Sequence, residues 1–174
     1  MSYNIILLDT DAKHANMIKD HLSKYSEYHI HVFTDAAACI AQLKSLKPSV
    51  IFLDAELKHD PAAMKEETEL LLHLKELSPD SEIVLYSGEE KLELILDNVK
   101  HGVHGFAIKT TNTKAKAEIL LLSAIRHYKK SKEASFYKKL TILLTVVLIA
   151  VVVLGIVAYK YKLIKYNIET PFDV

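Results

Sequence analysis

Four residues close four short apolar runs: Asp9 ends "NIILLD", Asp54 ends "SVIFLD", Ser87 ends "EIVLYS" and Lys109 ends "GFAIK". Singly each is ordinary, since Asp after a strand is a common turn or cap residue. Gathered at one edge of a sheet, they make a set of two carboxylates, a hydroxyl and an ammonium. That set suits phosphoryl transfer onto a carboxylate, which can act as nucleophile and form an aspartyl phosphate. The incoming group carries dense negative charge and needs a divalent cation and positive partners. Mg²⁺ takes oxygen ligands and keeps several waters, so a few carboxylates suffice. Ser87 would donate a hydrogen bond to a phosphoryl oxygen. Lys109 would pair with Asp54 before the reaction and with the phosphoryl group after it.

The elements that must position these residues follow from the hydrophobic pattern. "NIILLD", "HIHVF", "SVIFLD", "EIVLYS" and "GFAIK" read as strands. Between and after them, "AKHANMIKDHLSKY", "DAAACIAQLKSL", "PAAMKEETELLLHLKEL", "EEKLELILDNVKH" and "NTKAKAEILLLSAIRHYKK" read as amphipathic helices, with Asp35 near the start of the second and Pro61 at the start of the third. Five βα units in a row imply a parallel sheet covered on both faces, and continuous apolar runs agree with strands buried on both sides. In such a sheet, sites form beyond the carboxyl ends of the strands.

In order and spacing these segments resemble a response regulator receiver domain of the CheY-like superfamily, over Asn4 to Lys130. "IILLDTD" resembles the family's acidic first strand end, "VIFLD" its phosphoacceptor strand, and "IVLYSG" the strand ending in Ser or Thr before a small residue. "GFAIK" resembles the Lys-bearing strand, with Phe106 where the family has its switch aromatic; Lys109 follows Ser87 by 22 residues, the usual family spacing. The resemblance implies a flavodoxin-like (βα)5 doubly wound sheet with strand order 2-1-3-4-5. It implies Asp54 as phosphoacceptor, Ser87 and Lys109 as its phosphoryl partners, and Ser87 with Phe106 as the switch pair. It also implies an Mg²⁺ site at Asp9, Asp54 and the backbone carbonyl of Glu56, with Asp11 as a substitute ligand. The expected partner is a histidine kinase or phosphotransfer protein, with homodimerisation through the fourth and fifth βα units. The chain itself is expected to be a switch, not an enzyme.

The sequence departs from the family at three places. Thr10 stands where a second acid is usual, which should weaken Mg²⁺ binding; Thr110 replaces a Pro after Lys109, and Lys58 replaces a Pro after Asp54. Without Pro, a cis bond costs about 3 kcal/mol, so a trans bond is expected there. These departures leave a second reading open, a non-phosphorylated pseudo-receiver acting as a membrane-tethered scaffold. A flavin or small-molecule binder on the same fold is a third class, but "DTDAKHA" lacks the Gly, Ser and Thr density of a phosphate-cradling loop.

Beyond the receiver-like part the composition changes. Residues 140–159, "LTILLTVVLIAVVVLGIVAY", carry no charge. A helix of that length covers about 30 Å, the thickness of a bilayer's hydrocarbon core. Val, Ile and Thr favour strand in water, but in lipid the backbone must satisfy itself and helix wins. Tyr137, Tyr159 and Tyr161 lie at its edges, as interfacial aromatics do. Six basic residues precede the segment (Arg126, Lys129, Lys130, Lys132, Lys138, Lys139) and three follow it (Lys160, Lys162, Lys165), which orients the N-terminal part toward the cytoplasm. The expected organisation is a receiver-like domain over 1–130, a juxtamembrane helix or linker over 131–139, a transmembrane helix over 140–159 and a short tail over 160–174. The chain is thus expected to be a single-pass, tail-anchored membrane protein that signals through protein contacts or its oligomeric state. The run "HYKKSKE" is what any juxtamembrane segment needs for orientation, and anionic headgroups are an alternative partner for it.

Other signals are weaker. Formal net charge is +0, from 22 basic and 22 acidic residues, so no global field attracts nucleic acid. The one cysteine, Cys39, reads as a small buried helix residue in a reducing compartment. Among nine histidines, the pairs His29/His31 and His101/His104 lack a third ligand at a recognisable spacing, and they read as solvated or edge residues. "GVHGF" reads as a helix-to-strand turn.

Overall fold

The structure, a computed structural model, describes residues 2–55, 57, 67–88, 102–109 and 112–169. Five strands, β1 (Tyr3–Leu8), β2 (Tyr28–Phe33), β3 (Val50–Asp54), β4 (Glu82–Ser87) and β5 (Gly105–Ile108), form one sheet in the order β2-β1-β3-β4-β5, and every neighbouring pair is parallel. This is the doubly wound, flavodoxin-like receiver arrangement expected from the sequence. Four described helices accompany it: α1 (Ala12–Leu22), α2 (Ala36–Leu46), α3 (Glu67–Leu77) and α4 (Thr113–Glu169). The helix expected over "EEKLELILDNVKH", the Pro61 helix start, Glu56, Lys58 and Thr110 lie outside the described residues.

Successive strand residues point to opposite faces, and two cores result. Ile5, Leu7, Val50, Phe52, Val84 and Tyr86 pack with α1 (Ala15, Ile18, Leu22) and the first turns of α4 (Ala117, Leu121, Ala124, Ile125). Ile6, Leu8, Ile51, Leu53, Ile83 and Leu85 pack with α2 (Cys39, Leu43) and α3 (Leu70, Leu71, Leu74). Strands buried on both faces explain why they read as unbroken apolar runs. Cys39 is fully buried, and burial pushes its thiol up to about 12, as an inert core cysteine requires.

Caps set the helix starts. The Asp11 carboxylate accepts from the Lys13 and His14 amides at the head of α1, and Asp35 accepts from the Ala38 amide at the head of α2. At the end of α2, Lys47 adopts a left-handed conformation (φ 46°) and its N–H bonds the Leu43 carbonyl at 2.9 Å, just before Pro48. Helix α1 stops at Leu22, three residues before the expected end at Tyr25. There the Ser23 hydroxyl bonds the Lys19 carbonyl, while His21, Lys24 and Tyr25 turn onto the Glu118 carboxylate of α4. Gly105 permits a close approach on the other side: a Cβ there would lie 2.8 Å from Leu120 Cδ2 of α4.

The chain divides into two compact units, Met1–Ser131 and Lys132–Val174. Helix α4 runs without interruption through residues 129–135. In the second unit, residues 140–159 are exposed throughout, and α4 contains a window of mean hydropathy 3.2 with none of it buried. Among the described residues, α4 is the one helix long and apolar enough to cross a membrane, by length and composition. The Thr141 and Thr145 hydroxyls donate to the carbonyls of Tyr137 and Thr141, four residues back, each at 2.9 Å. Their polar atoms are thereby satisfied within the helix, as an apolar solvent demands.

Candidate functional site

The strand register brings the predicted residues to one edge. Leu8 pairs with Leu53, so Asp9 and Asp54 follow side by side on β1 and β3; Asp54 pairs with Tyr86, one residue before Ser87. The Lys109 N–H donates to the Ser87 carbonyl at 2.8 Å, which fixes where the lysine leaves the sheet. Asp9, Asp54 and Ser87 are all buried, at 5%, 3% and 0% exposure.

Lys109 closes the arrangement. Its Nζ lies 2.9 Å from Asp54 Oδ1 and 3.3 Å from Asp9 Oδ1, bridging two carboxylates that arrive from different strands. Burial works against its charge, but the two carboxylates outweigh that and raise its pKa. The two carboxylates have further partners. Thr10 Oγ1 donates to Asp54 Oδ2 at 3.4 Å, and the Asp11 N–H donates to Asp9 Oδ1 at 2.9 Å. His14 Nδ1, from the first turn of α1, stands 2.5 Å from Asp9 Oδ2. Burial alone would raise the Asp9 pKa; His14, the Asp11 amide and Lys109 together reverse this and pull it down to about 2. Beneath the carboxylates, Tyr86 stacks on Phe52 (ring centroids 5.3 Å apart) and meets the His14 ring edge-on at 5.8 Å.

A family model of the response regulator receiver domain matches residues 5–120. The chain belongs to this family. The receiver fold recurs in solved structures at low identity. NtrX from Brucella abortus is 21% identical with a TM-score of 0.70, over 80% of this chain and 31% of that one. A CheY-like receiver domain protein from Methanospirillum hungatei JF-1 is 20% identical with a TM-score of 0.64, over 75% of this chain and 99% of that one. The receiver domain of an HD domain-containing protein from Pseudomonas fluorescens Pf-5 is 21% identical with a TM-score of 0.66, over 76% and 93%. This receiver therefore spans under a third of NtrX and nearly the whole of the single-domain structures. No curated protein is significantly similar to it.

Receiver domains generally bind Mg²⁺ for phosphorylation, and the donor set here fits a hard cation in part. Asp9 and Asp54 offer carboxylate oxygens of the kind Mg²⁺ takes, leaving most of its shell to water. Asp11, expected as a substitute ligand, is exposed, and its Oδ1 caps α1 at 2.9 and 3.2 Å from two amides. Thr10 supplies a hydroxyl in place of a charge. The carbonyl of Glu56 lies outside the described residues. Phe106, expected as the switch aromatic, is half-buried on β5 against the α2/α3 core.

His14 is the site residue that the sequence reading missed. It sits five residues after Asp9, where the first turn of α1 folds back over the end of β1. The signal is the Asp11 cap: once α1 starts at Ala12, its third residue is placed beside the strand end it has just left.

Proposed function

We propose that the chain is a membrane-anchored receiver that accepts a phosphoryl group on Asp54 within a two-component phosphorelay. The observation that carries this is the Lys109 ammonium bridging Asp54 and Asp9 at 2.9 and 3.3 Å. An Asp54 oxygen attacks the phosphorus of a phosphohistidine on a histidine kinase or phosphotransfer protein. The new O–P bond forms as the P–N bond breaks, and the electron pair leaves on the imidazole nitrogen, which takes up a proton from solvent. Mg²⁺, when bound at Asp9 and Asp54, offsets the charge of the transferring group. Lys109 holds Asp54 beforehand and turns to a phosphoryl oxygen afterwards. The Ser87 hydroxyl, at the end of the neighbouring strand, is drawn toward the same group, and Phe106 follows into the space released.

The chain turns over no substrate of its own in this reading; it stores a signal. The apolar run of α4 inserts in a bilayer with the receiver on the cytoplasmic side, supported by its length, its hydropathy and the basic residues before it. Output passes through protein contacts or pairing of two copies on the β4, β5 and α4 side. Thr10 and the hold of His14 on Asp9 favour a second reading, an unphosphorylated scaffold at the membrane.

The deciding experiment treats the full chain in detergent micelles with acetyl phosphate, with and without Mg²⁺, and reads intact masses. The expected result is one phosphoryl adduct that needs Mg²⁺ and is lost in Asp54→Asn. A folded protein that takes up no adduct, beside a competent receiver that does, would assign the scaffold role.

A further inference from the structure

At the opposite end of β4 from Ser87, a second cluster forms that phosphoryl transfer does not use. Glu82, the first residue of β4, is only 8% exposed. A carboxylate that deep requires partners, and two imidazoles supply them. His127 Nδ1 lies 2.7 Å from Glu82 Oε1, and His104 Nδ1 lies 3.3 Å from Oε2. One ligand atom from each of the three residues falls within 4.8 Å of the other two.

The cluster is built by separate elements. The His104 N–H donates to the Ile83 carbonyl at 2.7 Å, which pins the approach to β5 beside the start of β4. His104 Nε2 meets Ser123 Oγ of α4 at 3.0 Å, so the ring is held from behind with its Nδ1 facing the carboxylate. That is the way the far nitrogen of a metal-bound imidazole is held. Ser123 and His127 are four residues apart on α4 and share a face. His104 and Glu82 are mostly enclosed, whereas the His127 side chain is 63% exposed, so solvent reaches one side of the cluster. Lys75, whose charge is felt at Glu82, donates its Nζ to the Ser81 carbonyl at 2.9 Å.

We propose that Glu82, His104 and His127 form a binding site for a first-row divalent metal of the zinc type, with the remaining position open to solvent. Two nitrogens and one carboxylate are a donor set that zinc favours and Mg²⁺ does not. Zinc–nitrogen bonds of about 2.0–2.1 Å in a tetrahedron separate neighbouring ligand atoms by roughly 3.3 Å. The two imidazole nitrogens lie 2.7 and 3.3 Å from the two carboxylate oxygens, and one ligand atom from each residue falls within 4.8 Å of the others, so the side chains draw together to close on an ion. Without metal, His127 Nδ1 is hydrogen-bonded to the carboxylate at 2.7 Å and His104 Nδ1 lies 3.3 Å from its other oxygen; an ion bound at these two nitrogens leaves each neutral ring its proton on Nε2, which for His104 faces Ser123 Oγ. A bound ion joins the start of β4, the approach to β5 and α4 at one point.

The test uses the full chain, free of any affinity tag, in detergent micelles. Zn²⁺ is titrated calorimetrically, and Co²⁺ is added separately to read its visible ligand-field bands. The expected result is one equivalent bound, with Co²⁺ bands of a four-coordinate site that excess Mg²⁺ does not erase. His127→Ala, an exposed substitution that should leave the fold intact, is expected to weaken Zn²⁺ binding at least tenfold. Asp54→Asn should leave it unchanged. Absence of stoichiometric binding, wild-type affinity in His127→Ala, or loss of binding in Asp54→Asn would each overturn the proposal. The last outcome would move the ion to the carboxylates at the other edge of the sheet.

Discussion

His14 Nδ1 lies 2.5 Å from Asp9 Oδ2, so the carboxylate after β1 is held by an imidazole as well as by Lys109. A cation that approaches Oδ2 competes with that nitrogen. A typical hydrogen bond contributes about 1 kcal/mol, close to a fivefold change in affinity. His14→Leu should therefore lower the Mg²⁺ concentration for half-maximal labelling by acetyl phosphate about fivefold. An unchanged midpoint would separate His14 from the cation site.

Lys109 holds two carboxylates that are both almost fully buried. Breaking a buried pair by removing one partner costs roughly 3–5 kcal/mol. The Thr10, His14 and Asp11 contacts survive in Lys109→Met, so a loss of about 2–3 kcal/mol is expected at neutral pH. Chemical denaturation in micelles checks it. The loss should shrink when Mg²⁺ is added, because a cation then restores the missing positive charge.

The low Asp9 pKa carries a signed pH dependence. Its folded value, about 2, lies below the ordinary aspartate value of 3.8, so the unfolded chain takes up the proton first. The resulting stability is fully present above about pH 4 and is lost as pH falls toward 2, amounting to about 2 kcal/mol. Asp9→Asn should flatten that part of a stability profile against pH. A profile equally steep in the variant would assign the acid loss to other carboxylates.

Tyr86 stacks on Phe52, yet its hydroxyl is buried with no hydrogen-bond partner among the described residues. Burial pushes its pKa up, which keeps the phenol neutral. Removing an unsatisfied hydroxyl while keeping the ring should not destabilise the fold. Tyr86→Phe is expected to raise stability by up to about 1 kcal/mol, whereas Tyr86→Ala should cost roughly 3–5 kcal/mol by emptying the stack. A thermal melt of the two variants decides it.

Leu148 and Val152 lie within the apolar run of α4, both exposed. Arg at the centre of a spanning helix costs about 2.5–3.5 kcal/mol per residue on insertion scales. Changing both to Arg should shift the chain from the alkali-resistant membrane fraction to the soluble one. Retention of the double variant in the membrane fraction would locate attachment elsewhere.

The sheet was legible because its strands are buried on both faces: "VIFLD" and "EIVLYS" carry no alternation to confuse with a helix, and the polar residue that ends each one marks the edge. Asp35 announced the start of α2 for the same local reason. The end of α1 was not legible, since apolar and basic residues continue past Leu22 and only Glu118, nearly 100 residues later, explains why His21, Lys24 and Tyr25 turn away. Asp11 was read only as a spare ligand, and its place as the cap of α1 went unread because the helix start was not fixed by the apolar pattern. The pairing of His104 with His127 was hidden too, because the earlier neighbour His101 drew attention by spacing alone, while the carboxylate that gathers the two rings lies at the start of another strand.

The ring column of Phe52, Tyr86 and His14 has an optical consequence. The chain contains no tryptophan. A single indole introduced by Tyr86→Trp would be the sole emitter of its kind, seated between the Phe52 ring and the His14 ring that holds Asp9. Its fluorescence would report, without background from elsewhere in the chain, every change in charge at the carboxylates above it.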